Sequence, residues 1–138
     1  MSEAGDRIEL RFPARGELIV LARLVTSAVS ARAGFDIEQL EDLRLAVGEL
    51  CLLTLHGNDS GYGDLALELT VLGDAIGAVC TLERASPAES SETEAEEEAE
   101  SARLSERILD ALVDEHGRES QDGYSRAWIR KRRGGHAE

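Results

Sequence analysis

Ile8, Leu10 and Phe12 alternate with charged residues in "DRIELRF", the period of a strand with one face on a core. Past Pro13 the period lengthens. "GELIVLARLVTSAVSARAG" predicts a helix from about Glu17 to Ala33, stopped by Gly34. Leu18, Leu21, Ala22, Val25 and Val29 form its apolar stripe, and Ile19, Val20, Leu24 and Ala28 widen it beyond one face. A helix this apolar is either buried on two sides or offers one side to a partner. In a small two-layer domain one face of a helix meets water, which favours the partner.

"DIEQLEDLRLAVGELCLLTLHG" predicts a second helix. Asp36 is its N-cap and Gln39 completes a capping-box pattern. Leu40, Leu43, Val47, Leu50 and Thr54 keep helical spacing, and "NDSGYGD" is a loop. "LALELTVLGDAIGAVCTLE" predicts a hairpin: Leu65, Leu67, Leu69 and Val71 face one way, Gly73-Asp74 turns the chain, and Ile76, Ala78, Cys80 and Leu82 return on the same face. "RLSERILDALVDEHG" predicts a third helix with Leu104, Ile108, Leu112 and Leu109 inward and Gly117 at its end. "GYSRAWIRK" predicts a last strand, Tyr124, Arg126, Trp128 and Arg130 on one face and Ala127 and Ile129 on the other. The order β-α-α-β-β-α-β predicts an α+β two-layer sandwich: a mostly antiparallel sheet covered on one face by three helices.

At 138 residues, residues 1–138 are expected to form one domain. Aromatics are 4% of the chain, so the core must come from Leu, Val, Ala and Ile. The net charge of -13 repels a phosphate backbone and argues against nucleic acid as the main partner. It suits a chain that meets a basic protein surface. Much of the charge lies in one segment. Between Arg84 and Arg103 there is no basic residue, while seven glutamates fall from Glu89 to Glu100. Residues 85–102 are therefore expected to be mobile or a frayed, solvated helix. The segment is either a solvated loop or an approach surface for a basic partner, and the second reading predicts salt-dependent association.

Cys51 and Cys80 sit inside apolar runs and read as buried, reduced thiols. His56, His116 and His136 show no metal-ligand spacing. "IRKRR" at Ile129 to Arg133 is a small basic cluster, read as a surface strand end rather than a nucleic-acid patch. The first residues are polar and charged, and no apolar run approaches the ~20 residues needed to span a bilayer. A cytoplasmic location away from membranes is expected.

Three stretches carry a family resemblance. "LRFPARGELIVLARL" leads from a strand ending in Phe into a helix with Ala-Arg in its second turn. "FDIEQLEDLRLAVGELC" has the length and spacing of a helix ending in a glutamate box. "LSERILDALVDEHG" precedes a closing strand. Together they resemble the anti-sigma-factor serine kinases of the RsbW/SpoIIAB type, in the GHKL superfamily of histidine-kinase-like ATPases. The likeness is closest to the degenerate actinobacterial members.

In active members the glutamate is a general base, and an asparagine four residues on holds Mg²⁺ against the phosphates. That spacing puts both on one helical face. A D-x-G-x-G box binds the adenine, and a second Gly-rich box cradles the phosphates. Here Glu49 takes the glutamate position but Leu53 takes that of the asparagine, and leucine cannot ligate a hard cation. "LERASPAE" and "EEEAESARLSER" stand in place of the two Gly-containing boxes. The resemblance thus implies a vestigial site, with Glu49 a remnant base, no catalytic residue, no metal, and ATP with Mg²⁺ disfavoured as a cofactor. The acidic segment would replace the ATP lid.

The family's other property is binding. Arg23 matches the arginine that touches both the sigma factor and the anti-anti-sigma (STAS-type) protein. Glu17, Ile19 and Val20 on the turn before it are expected to share that surface. The implied function is an anti-sigma factor that sequesters a sigma factor stoichiometrically, is released by partner switching, and forms a homodimer. Two alternatives stay open: an ATP-dependent serine kinase acting on the anti-anti-sigma partner, and an adaptor that binds no sigma factor.

Overall fold

The computed structural model describes residues 5–55, 63–83, 92–121 and 124–134. Strand β1 (Arg7–Pro13) leads through a 3-10 turn at Gly16–Leu18 into helix α1 (Ile19–Arg32), followed by α2 (Ile37–Leu55). Strands β2 (Asp64–Leu72) and β3 (Ala75–Glu83), helix α3 (Glu92–Leu112), and strands β4 (Glu115–Gln121) and β5 (Tyr124–Arg132) complete the order. The five strands form one sheet, β1-β2-β3-β5-β4, with every neighbouring pair antiparallel. With three helices, this is the α+β sandwich the patterning predicts.

The central hairpin follows its alternation. Leu65, Leu67 and Leu69 are buried, and Leu67 stands opposite Cys80 and Leu65 opposite Leu82. Gly73 turns the chain with a φ of 59°, in the left-handed region open to glycine. On β5, Ser125, Ala127 and Ile129 face the core. Helix α2 touches α1 and α3 as well as β3 and β5. Its start is the expected cap: the Gln39 N–H donates to Asp36 Oδ1 at 2.8 Å. Its C-terminal end is tied to the sheet where the Ser125 hydroxyl donates to the Thr54 carbonyl at 3.0 Å.

Four expectations change. Strand β4 is an additional element: "EHGRESQ" pairs along β5, and Gly117 lies inside it rather than ending a helix. Its sequence lacks an apolar alternation because little of the helix layer covers it: among the helices α3 alone packs on it to any extent. Helix α3 also begins earlier than Arg103, at Glu92, so residues 92–102 of the segment expected to be mobile or a solvated helix are helical and continuous with α3. The remainder of that segment, 85–91, lies outside the described residues.

The other two changes are rotations. Helix α1 buries Ile19, Ala22, Thr26 and Ser30, while Leu21 is exposed. Helix α3 buries Ala102, Ser105 and Leu109, while Leu104 is 58% exposed. In each case small side chains face the neighbouring helix. Larger apolar residues, Leu24 on α1 and Leu104 on α3, are turned outward.

The basic cluster closes the helix layer. Lys131 Nζ donates to the Leu112 carbonyl at the end of α3 at 2.8 Å. Arg133 Nη1 donates to the Ala33 carbonyl just past α1 at 2.9 Å. Cations at helix C-termini satisfy orphan carbonyls and oppose the negative end of the dipole. Arg130 lies 3.4 Å from Glu115 on the neighbouring strand. Two of the cluster's charges are thus spent on helix ends. Among the described residues no helix is long and apolar enough to cross a membrane.

Candidate functional site

Glu49 and Leu53 lie one turn apart on α2, as their spacing requires. Leu53 is 5% exposed and belongs to the hydrophobic core. Glu49 is half-buried, and the Ser105 hydroxyl of α3 donates to its Oε1 at 3.1 Å. Ser105 is itself buried, so this bond ties the carboxylate to the helix packed across α2. Residue 53 offers an apolar side chain where a divalent cation needs an oxygen. The two residues therefore do not fit a site with Mg²⁺ held at position 53.

The stretch expected to replace the phosphate-cradling box runs through α3, where Glu96, Glu97 and Glu100 are exposed. A helix carrying glutamates presents no run of free amides to a phosphate and repels its charge. The residues that take the place of the D-x-G-x-G box lie, from Arg84 on, outside the described residues.

Writing asparagine back at position 53 should not rebuild a metal site. Leu53→Asn places an amide among core side chains, with lost apolar burial and unmet hydrogen bonds together costing about 3 kcal/mol. Chemical denaturation should show that loss. Addition of ATP and Mg²⁺ should not recover it.

Arg23 stands at the junction of α1 and α2, half-buried. Its guanidinium lies over the backbone of Gly48: a Cβ built there would meet Arg23 Nε at 2.5 Å and Nη2 at 2.7 Å. Glycine inside a helix costs about 1 kcal/mol relative to alanine, and here it makes room for this approach. Arg23 Nε is buried without a hydrogen-bond partner among the described residues. That nitrogen is closed to an outside partner, so what a carboxylate could grip is the planar guanidinium of the half-buried side chain as a whole.

The other three expected partner residues separate. Glu17 and Val20 are exposed near Arg23 in sequence, whereas Ile19 is 2% exposed and packs in the core. Ile19 has no surface to give a partner, because the inward stripe of α1 begins with it. Leu21 and Leu24 take its place on the outside, Leu24 at 63% exposure. The excess apolar width of α1 is thus a real surface. It is set one residue away from the expected one.

Ser105 and Gly48 were not legible as site residues. A serine inside a helical repeat carries no sign that it will meet a glutamate 56 residues earlier. Gly48 gave a weak signal, since an isolated glycine in an apolar helix marks a close approach.

No protein-family model matches the chain. Among curated proteins, serine-protein kinase RsbW of Bacillus pumilus (strain SAFR-032) is 35% identical over 80 residues, 55% of this chain and 49% of that protein. The RsbW of Bacillus velezensis (strain DSM 23117 / BGSC 10A6 / LMG 26770 / FZB42) is 33% identical over 78 residues, with the same two shares. That of Bacillus cereus (strain AH187) is 29% identical over 77 residues, 55% of this chain and 48% of the relative. The chain spans about half the length of the curated relatives it matches.

Proposed function

We propose, from the likeness to RsbW over about half of this chain, that it is an anti-sigma factor that works by stoichiometric binding rather than by catalysis. The observation that carries the binding half is the outer face of α1. Val20, Leu21 and Leu24 are exposed there, beside the half-buried Arg23. An apolar patch with one arginine anchor has the make-up of an interface core, where buried apolar area and a few Arg or aromatic contacts supply most of the affinity. A sigma factor is the partner, held away from RNA polymerase. A STAS-type anti-anti-sigma protein competing for overlapping surface releases it.

Leu53 in the core and the acidic α3 support the non-catalytic half. With a chain charge of -13, the acidic helix draws in a partner that is basic where it reads DNA. A homodimer through α1 and β1 and a cytoplasmic location complete the reading. A second reading is favoured by the relatives' printed name: an ATP-dependent serine kinase acting on the anti-anti-sigma partner.

Two measurements on the purified chain separate the readings. Affinity capture from extract of the source cells should retain a sigma factor, and calorimetry should show no saturable heat with ATP and Mg²⁺. Saturable micromolar binding of ATP would overturn the non-catalytic reading in favour of the kinase. An eluate holding only an anti-anti-sigma protein would make the chain an adaptor.

A further inference from the structure

Cys51 and Cys80 are the only two cysteines of the chain. They come from different layers: Cys51 from α2, and Cys80 from β3, where it stands between Leu67 of β2 and Ala127 of β5. Their Sγ atoms are 3.9 Å apart, and both residues are 0% exposed. Neither takes part in the binding surface on α1. Chance burial explains two thiols in a core. Here the two thiols face one another across the helix-sheet interface.

We propose that Cys51 and Cys80 are a dithiol-disulfide pair, oxidised by a hydroperoxide to a bond that staples α2 to β3. A disulfide needs its sulfurs at about 2.05 Å, so they must close by roughly 2 Å from their present separation. Rotation about the two Cα–Cβ bonds with a small shift of α2 supplies movement of that order. The thiols are also unequal. The hydrogen bond with Cys51 pulls Cys80 below the ordinary thiol range against the upward push of burial, and Thr54 adds a smaller pull. The same hydrogen bond, together with burial, pushes Cys51 well above that range. That asymmetry puts Cys80 ahead as the first nucleophile, and the chemistry balances equally with the two roles exchanged.

The steps balance with hydrogen peroxide as the oxidant. The Cys80 sulfur attacks one peroxide oxygen, the O–O bond breaks, and the departing hydroxide takes the thiol proton as water. Cys80 is left as a sulfenic acid. The Cys51 sulfur then attacks Cys80 Sγ, the S–O bond breaks, and the second hydroxide leaves with the Cys51 proton. Two thiols and one peroxide become one disulfide and two waters. Complete burial restricts the reaction to an oxidant about the size of water, or to moments when the core opens.

The inference does not depend on the proposed anti-sigma function, and its test does not use it. The intact chain is treated with hydrogen peroxide, and its mass is read under native and reducing conditions. The expected product is a monomer lighter by about 2 Da, the loss of two hydrogens on disulfide formation. Digestion should yield a peptide pair joining Cys51 to Cys80, and dithiothreitol should restore the original mass. Cys80→Ala should abolish the loss. Cys51→Ala should abolish it too and leave a trappable sulfenic acid at Cys80. If the folded wild-type chain keeps both thiols, gains oxygen as sulfinic acid, or forms only a linked dimer, the proposal is overturned.

Discussion

Replacing Leu50 by alanine should lower the unfolding free energy by about 3–5 kcal/mol, the range for large-to-small changes at sites that cannot collapse. Leu50 is fully buried on α2, the helix in contact with both other helices and with two strands. Elements packed on several sides leave the cavity walls little freedom to move inward. For a domain with marginal stability, that loss is a large fraction of the total. Urea denaturation should show it as a lower midpoint with an unchanged slope. Leu104→Ala is the matched control. Its side chain is largely exposed on α3, so its effect should stay within about 0.5 kcal/mol. Equal losses at the two leucines would mean that α3 is rotated from the orientation described.

Arg23→Ala should weaken the complex with the captured sigma factor by about 30-fold or more, as expected when an arginine anchor at the centre of an interface is removed. The guanidinium rests on Gly48, so it is held in place before a partner arrives. Pre-organisation of this kind reduces the ordering cost of binding. Lysine at the same position would keep the charge without the planar fork, and Arg23→Lys should lose most of the affinity as well. Surface plasmon resonance on the purified pair would give both values. Thermal melts of the variants would separate lost contact from lost packing over Gly48. Wild-type affinity in Arg23→Ala would remove this arginine from the binding surface.

Strands and caps were legible because their signals are local. The β2–β3 hairpin follows from four alternating apolar residues on each side of Gly73-Asp74. The start of α2 follows from one aspartate and the amide three residues on. The rotation of α1 and α3 was not legible, for a physical reason. Apolar periodicity assumes that the largest side chains turn inward, but closely packed helices need small ones at the contact. Thr26 and Ser105 are buried while Leu24 and Leu104 face outward. Thr26 meets its own polar need by donating to the Ala22 carbonyl at 2.7 Å, so burial costs it little. Strand β4 escaped because the helix layer barely covers it, so it needs no apolar face. At the candidate site, Glu49, Leu53 and Arg23 could be read from spacing and resemblance. Of their neighbours, Ser105 is set by tertiary packing alone, and Gly48 shows only as an isolated glycine in an apolar helix.

The order of the sheet has a consequence for the chain during its synthesis. Strand β5 is later in the sequence than β4 yet lies between β3 and β4. While a ribosome is still making Tyr124–Arg132, the long edge of β3 has no neighbour. The carbonyls at the ends of α1 and α3 also lack Lys131 and Arg133. Local hairpins and helices can form early, but the sheet can close only after this strand emerges. Until then the nascent chain carries an open edge of the kind that pairs with other chains.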